Sequence, residues 1–305
     1  MRIVVALGGN AFLHRGERPD ADLRRAGIDR AATALAPLAH EHDIVVTHGD
    51  DLRAGPLAGE TAGGPGLPCP LDLIAARNQG LIGTLLVRTL HNALPGRRIA
   101  ALVTHTLVRA DDPAFERPTA FVGPVHPRRI AQGLAARHGW HVAEDGRGWR
   151  RVVPSPSPDR IVETDTVREL LALGTLVVCG GGGGVPVVAD RVTGALRGTE
   201  AVVDKDLAAA VLAEDLKADF LLLLTDVPNV YADYGTPRRR PVLDATPAEL
   251  RRGHYPLASM GPKTEAAARF VEHTGGLAAI GALDAAYEIV HGLSGTLVRP
   301  DLPTW

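Results

Sequence analysis

Lysine is nearly absent from this 305-residue chain: thirty of its 33 basic residues are arginines, and the three lysines stand at 205, 217 and 263. A chain so short of lysine keeps one where a compact ammonium does what a guanidinium fork cannot. Cysteine is scarcer still, at Cys69 and Cys179 alone. Two thiols are too few for a disulfide framework and these lie too far apart for a paired zinc motif, so a reducing, cytoplasmic setting is expected. Apolar runs are short. Phe220–Leu224 and Leu176–Cys179 fall far below the roughly 20 residues that cross a bilayer, so no membrane partner is expected. Met1-Arg2 followed by Ile3–Leu7 carries no signal-peptide pattern, and the first strand is expected to start at once. A formal net charge of −2 with no single-sign run excludes both a disordered tail and the basic footprint of a nucleic-acid binder. The twelve histidines show no H-E-x-x-H or similar spacing, so neither a protein-held metal nor a Ser/His/Asp hydrolase is expected.

What is present is a globular composition, 45% apolar and 22% charged, organised as an alternation. Ile3–Leu7, Ile44–Thr47, Ile99–Thr104, Leu176–Cys179, Phe220–Thr225 and Ala278–Ile280 are continuous apolar runs, as parallel strands covered on both faces require. Between them, Leu23–Leu38 places Ile28, Ala31, Ala32, Leu35 and Leu38 on one helical face. Leu71–Leu90 repeats the pattern with Ile74, Leu81, Leu85 and Leu86. The fold class expected is α/β, with an open, mainly parallel central sheet between helical layers. From about 111 to 160, prolines at 113, 118, 124, 127, 154, 156 and 158 argue against central strands or long helices. This stretch reads as a small protruding insertion.

Several strand ends could carry chemistry. Ile3–Leu7 runs into Gly8-Gly9-Asn10, and Ile44–Thr47 into His48-Gly49-Asp50-Asp51. Val177-Val178-Cys179 is followed by the five glycines 180–184, which include Gly181 and Gly182. Ligands sit at the carboxyl ends of parallel strands, and glycines let backbone N–H groups approach an anion. The five-glycine run is read as an anion or nucleotide cradle, the rival explanation being very close packing. Yet no P-loop, dinucleotide or protein-kinase fingerprint occurs.

Val203-Asp204-Lys205-Asp206-Leu207 opens a helix with the apolar face Leu207, Val211, Leu212 and Leu216. Asp204 is the expected N-cap, which puts Lys205 in a first turn where the helix dipole disfavours a cation. The arrangement suits a phosphate facing both the helix end and the ammonium, with Asp206 orienting the donors. Met260-Gly261-Pro262-Lys263 repeats it, Gly-Pro breaking the loop before Lys263 starts a helix. Lys217, at the far end of the first helix, reads as structural. Thr225-Asp226-Val227, with Tyr231 close behind, could line the adenine side of a nucleotide, though on its own the segment reads as an ordinary strand end.

Eight ordered blocks resemble carbamate kinases across nearly the whole chain. They are Val5–Ala11, Thr47–Gly49, Asp111–Phe115, Arg150–Pro156, Gly180–Val187, Val203–Ala208, Leu224–Val227 and Ser259–Lys263. The resemblance implies the amino-acid-kinase fold, a three-layer α/β/α sandwich. An acceptor lobe over residues 1–190 would carry the protruding subdomain at about 111–160. A nucleotide lobe over 191–305 would complete it, usually in a homodimer. It implies reversible phosphoryl transfer between ATP, with Mg2+ arriving on the nucleotide, and carbamate. Lys205 and Lys263 would neutralise the transferring group, Asp206 would organise them, and Gly8, Gly9 and Gly49 would supply N–H groups. Thr225, Asp226, Val227, Tyr231, Met260, Gly261 and Pro262, with Gly181, Gly182 and Asp204, would serve the nucleotide. Two departures stand out. Asp50-Asp51-Leu52-Arg53 replaces a neutral, glycine-containing loop, and Ala120 replaces an acceptor-side lysine. Loss of that cation implies a rate lower by about 10²–10³ unless compensated. Arg53 is the candidate replacement, and a different small acid the candidate acceptor. The other reading is a catalytically silent, nucleotide-binding regulatory homologue.

Overall fold

The continuous apolar runs become strands whose alternate side chains enter two different cores. The computed structural model describes residues 1–9, 21–49, 69–146, 148–256 and 259–301. Along the first half run β1 (Arg2–Leu7), α1 (Ala21–Glu41), β2 (Asp43–His48), α2 (Leu71–Ala93), β3 (Ile99–Ala101) and β4 (His105–Val108). Then come β5 (Ala120–His126), α3 (Arg128–His138), β6 (His141–Asp145), β7 (Gly148–Val153), β8 (Pro158–Ile161) and α4 (Thr164–Ala172). The second half begins with β9 (Leu176–Val178), β10 (Val185–Ala189), β11 (Leu196–Gly198), α5 (Lys205–Asp215) and β12 (Phe220–Thr225). It continues through β13 (Val230–Ala232), β14 (Arg240–Val242), β15 (Asp244–Ala245) and α6 (Pro247–Arg252). It closes with α7 (Met260–Thr274), β16 (Leu277–Ala282), α8 (Ala286–Val290) and β17 (Thr296–Val298).

Eight strands form one sheet in the order β15-β17-β16-β12-β1-β2-β9-β3, and β16–β17 is its antiparallel pairing. In β1, Ile3, Val5 and Leu7 join a core with Ile28 and Leu35 of α1, Ile82 and Leu86 of α2 and Ile289 of α8. Val4 and Ala6 join the opposite core, with Ala209 and Leu212 of α5 and Ala267 and Phe270 of α7. Period-two alternation inside an all-apolar strand thus produces the three layers. β1 lies at the turning point, with β2 on one side and β12, from the second half of the chain, on the other. Ligands sit at the strand tips of such a switch point.

Two expectations need correction. In α2 the buried residues are Leu71, Ile74, Ala75, Asn78, Gln79, Ile82, Gly83, Leu86 and Leu90, whereas Leu81 is 47% exposed. The helix meets one apolar cluster at its start and another farther on, so its buried face is not a single leucine stripe. The run Ile99–Thr104 is a strand only over β3, a partly exposed edge. The proline-rich stretch holds the three-stranded sheet β5-β7-β6 and the 11-residue α3. Its prolines occupy tolerated places. Pro124 lies where the β5–β7 register shifts, Pro127 precedes the first residue of α3, and Pro158 opens β8 in a separate four-stranded sheet. Arginines cover aromatic residues in and beside the small sheet, Arg128 over Trp149 at 5.2 Å and Arg151 over Trp140, just before β6, at 4.5 Å.

Candidate active site

The N-terminus of α5 is built as its sequence demands. The Asp204 carboxylate caps it, accepting the Asp206 and Leu207 backbone N–H groups at 2.9 and 3.2 Å. That cap fixes Lys205 and Asp206 in the first turn. α7 packs alongside α5 and brings Lys263, 57 residues away, to the same carboxylate. Lys205 Nζ lies 2.5 Å from Asp206 Oδ1 and Lys263 Nζ 2.8 Å from Asp206 Oδ2. The two lysines singled out by their scarcity therefore share one carboxylate. α7 starts at Met260 rather than at Lys263, so Gly261 and Pro262 belong to its first turn, where proline's missing N–H costs nothing.

All three side chains are largely withdrawn from water, with Asp206 and Lys263 at 4% and 7% exposure. Burial alone would raise the Asp206 carboxyl, but the two ammonium groups outweigh it and hold it at about 2. Burial lowers Lys205 to about 8, repulsion from Lys263 adding to it and Asp206 opposing. For Lys263 burial is outweighed by Asp206, and its affinity for the proton is raised. With both lysines protonated the triad carries one net positive charge, fixed in a low-dielectric site where it acts strongly on an incoming anion.

The glycine-edged tips lie beside this triad, but two of their N–H groups are committed. Gly8 N–H donates to Leu224 O at 3.0 Å and Gly49 N–H to Leu7 O at 2.8 Å; both continue the sheet instead of facing a ligand, which corrects the expectation for these two donors. Their lack of a side chain has its own reason. A Cβ on Gly8 would lie 2.9 Å from Leu224 O, and one on Gly49 2.7 Å from Gly9 N. Among the described residues nothing lies within 4 Å of a Cβ built on Gly9, and the glycine at 49 leaves that backbone uncovered by a side chain of its own.

The five-glycine run is explained by close packing, the alternative to a cradle. A Cβ on Gly181 would lie 2.2 Å from the His48 ring, one on Gly183 2.3 Å from Val203 O and one on Gly184 2.1 Å from Thr106 Oγ1. Gly180, Gly182, Gly183 and Gly184 also have positive φ, which favours glycine in its own right. Contact with Val203 sets this turn two residues before Lys205, joining the tips of the first half to the triad of the second.

His48 was not among the expected site residues. Its Nδ1 lies 2.8 Å from Gly49 O, its ring fills the space beside Gly181, and burial lowers it to about 4, the charge on Lys205 adding to the effect. It is therefore neutral, with the proton on Nδ1. The signal lay in the strand-end position of Thr47-His48-Gly49, but its contact with residue 181 is invisible along the chain.

On the side expected to meet the nucleotide, Thr225 Oγ1 donates to Asp226 Oδ1 at 3.1 Å at the tip of β12. Val227 follows half-buried in the turn, and Arg239 covers one face of Tyr231 at 5.0 Å. Ala120 begins β5 and lies in an apolar cluster with Leu71, Ile74, Val153, Val185 and Val202. Asn10, Asp50, Asp51 and Arg53 lie outside the described residues. Lys217 is exposed just after α5, with φ of +52°.

This combination, phosphate-ready lysines beside glycine-edged tips of a parallel sheet, belongs to a phosphotransferase fold. The chain is a member of the amino acid kinase family, whose model matches residues 1–280. It is 45% identical over 310 residues to a carbamate kinase of Rhizobium meliloti, covering 100% of this chain and 96% of the relative. It is 42% identical over 312 residues to a carbamate kinase of Thermococcus kodakarensis, covering 97% and 98%. Among solved structures it is similar to the carbamate kinase from Giardia lamblia bound to AMP-PNP, with a TM-score of 0.89, 36% identity and 98% of each chain covered.

Proposed function

We propose that this chain catalyses the reversible transfer of the terminal phosphoryl group of ATP to carbamate, giving ADP and carbamoyl phosphate. The observation that carries the reading is the convergence of Lys205 and Lys263 on Asp206. An oxygen of carbamate forms the new P–O bond while the bond to the ADP oxygen breaks, and negative charge spreads over the phosphoryl oxygens. Carbamate is already an anion, so no group needs to take a proton from it. The site accords with this: Asp206 is held ionised between two ammonium groups, and neutral His48 is tied to Gly49. The protein's task is to position the reactants and stabilise charge.

Among the described residues no three His, Cys, Asp or Glu side chains are grouped to hold a metal ion. Mg2+ is assigned to the nucleotide, where it would neutralise phosphate charge. Thr225, Asp226, Val227, Tyr231 and the first turn of α7 are assigned to the nucleotide, and the likeness to a relative bound to AMP-PNP supports a nucleotide site in this chain. Ala120 offers no cation to the acceptor, so Arg53 is assigned that charge. A cytoplasmic homodimer completes the reading; light scattering on the purified protein tests the dimer.

The deciding assay is ATP formation from carbamoyl phosphate and MgADP, with ADP release from MgATP over carbamate, bicarbonate, acetate and glycine as the reverse arm. Turnover of carbamate and carbamoyl phosphate supports the reading. Nucleotide binding without transfer to any acceptor refutes it.

A further inference from the structure

The two lysine-bearing helices meet through residues that do little to fix their alignment. α5 brings Ala208, Ala209, Ala210 and Ala213 to the core it shares with α7, and α7 brings Ala266 and Ala267. Methyl groups make low ridges, so such helices approach closely but resist sliding and turning less than interlocked long side chains do. The register then falls to polar ties. One joins Lys263 Nζ to Asp206 Oδ2 at the N-terminal ends. A single tie is a pivot, and it leaves the angle between the helices free.

A second tie closes the far ends. Arg269 of α7 donates through Nε to Glu214 Oε1 at 2.8 Å and through Nη2 to Glu214 Oε2 at 3.2 Å, a fork on one carboxylate. His273 Nδ1, one turn farther along α7, lies 3.1 Å from Glu214 Oε2. The Glu214 side chain is 15% exposed and that of Arg269 27%, so this pair is screened less than an open surface pair, which adds little. Helical spacing puts Asp206, Ala210, Ala213 and Glu214 on one face of α5. The two ties are eight residues apart there, about 12 Å along the axis. Ion pairs from Glu265 and Glu272 of α7 reach Arg251 of α6; they are more exposed and leave α5 untouched.

We infer that Glu214 and Arg269 are positioning residues for phosphoryl transfer: their ion pair sets the register of α7 against α5 and so keeps the Lys263 ammonium on Asp206, beside Lys205. The inference rests on the proposed function for the reaction it serves. Both residues lie more than a helical turn beyond the lysines, so they act through Lys263 and not on the reactants. With the far tie cut, α7 turns about the remaining one, and the two ammonium groups move apart as their repulsion favours. A misplacement of about 1 Å is enough to cost much of kcat. Lys205 faces Asp204 and Asp206 on α5, Lys263 on α7 and His48 at the tip of β2. Of these only Lys263 is displaced, and its weaker repulsion lets Lys205 hold its proton to higher pH.

The test uses ATP formation from carbamoyl phosphate and MgADP, at a temperature well below the melting point of every variant. A wild-type enzyme without turnover defeats the functional reading, and the inference with it. Given turnover, Arg269→Met, which keeps an apolar stem and removes the fork, is expected to lower kcat about 10- to 100-fold while the KM for MgADP stays within about twofold. The alkaline limb of kcat/KM, which reports the free enzyme, is expected to move up by about half a pH unit. Glu214→Gln keeps the shape and removes the charge; it gives the same pattern and serves if the methionine variant does not fold. Exchanging the partners, Glu214→Arg with Arg269→Glu, is expected to restore kcat to within about threefold of wild type, which neither exchange does alone. An unchanged kcat and alkaline limb in a folded Arg269→Met or Glu214→Gln overturns the inference, even where the melting temperature falls, since that marks the pair as a structural tie. A folded double exchange no faster than its singles overturns it as well.

Discussion

Asp206→Asn keeps the shape of the triad and removes the charge that holds it together. In the wild type one carboxylate accepts from Lys205 at 2.5 Å and from Lys263 at 2.8 Å, so the two ammonium groups stand close together. At a separation of about 5 Å and an effective dielectric near 20 their repulsion is about 3 kcal/mol. Breaking a buried ion pair from one side costs about 3–5 kcal/mol, which for a chain of this size lowers the melting temperature by roughly 5–8 °C. The pH dependence gives the effect its signature. Lys205, already lowered to about 8, loses its counter-charge in the variant and releases its proton below that value. A lysine whose affinity is lower folded than unfolded makes stability rise with pH between the two values, because the unfolded chain holds the extra proton. The variant therefore begins to recover stability below pH 8, where the wild type shows no gain from Lys205, and the deficit narrows toward pH 9. Thermal melts from pH 6 to 9, together with kcat on carbamoyl phosphate, read both effects. A variant that melts within 1 °C of the wild type across this range, at undiminished kcat, refutes the account of Asp206.

Lys263→Ala takes the triad from one net positive charge to none and is expected to lower kcat by about 10²–10³. Lys263→Arg recovers little of it, because a guanidinium fork does not fit beside Lys205 on one carboxylate; steady-state kinetics with the folded proteins checks both. His48 is held neutral down to about pH 4, whereas an unfolded histidine takes up its proton near 6.5. Stability attached to its neutral form is complete above 6.5 and falls toward pH 4, by about 3 kcal/mol in all. His48→Gln, compared with the wild type in denaturant melts from pH 7 to 4, is expected to lose that part of the acid sensitivity, and identical slopes count against it. Gly8→Ala places a methyl carbon 2.9 Å from Leu224 O, backbone that cannot step aside. It is expected to cost about 1–3 kcal/mol, with kcat falling together with stability; a melt unchanged from wild type removes the steric argument.

The strands were legible because a parallel strand covered on both sides must be apolar throughout, and six such runs became six strands of one sheet. The cap at Asp204 was legible because its spacing to Lys205 and Asp206 is local, and the pairing of the two lysine-bearing helix starts because lysine is so rare here. Contacts between distant segments left no such trace. The glycine run needs no anion to account for it, since Gly181 makes room for the ring of His48, Gly183 for the backbone of Val203 and Gly184 for Thr106. Along the chain these partners are 20 to 133 positions away. The N–H groups of Gly8 and Gly49 looked free for the same reason, although the neighbouring strands already use them. In α2 the leucine pattern pointed to Leu81, whereas Asn78, Gln79 and Gly83 are buried, because this helix faces a glycine turn as well as an apolar core.

The seam between β1 and β12 explains how one sheet can hold both halves of the site in register. It is hydrogen-bonded from end to end: the Asp219 carboxylate accepts Arg2 N–H at 2.7 Å, and Leu224 O accepts Gly8 N–H at 3.0 Å. Leu7 is thereby paired with Leu224, and the tip that ends in Gly8-Gly9 must lie beside Thr225. α5 and α7, which carry the lysines, pack on the core face formed by Val4, Ala6, Leu221 and Leu223. α2 packs on the opposite face with Ile3, Val5 and Leu7. The charge of the triad is therefore carried on one face of the sheet. A one-residue slip between β1 and β12 would turn every side chain of β1 to the wrong core, so the register that keeps the interior packed is also the one that holds the lysines over the glycine tips.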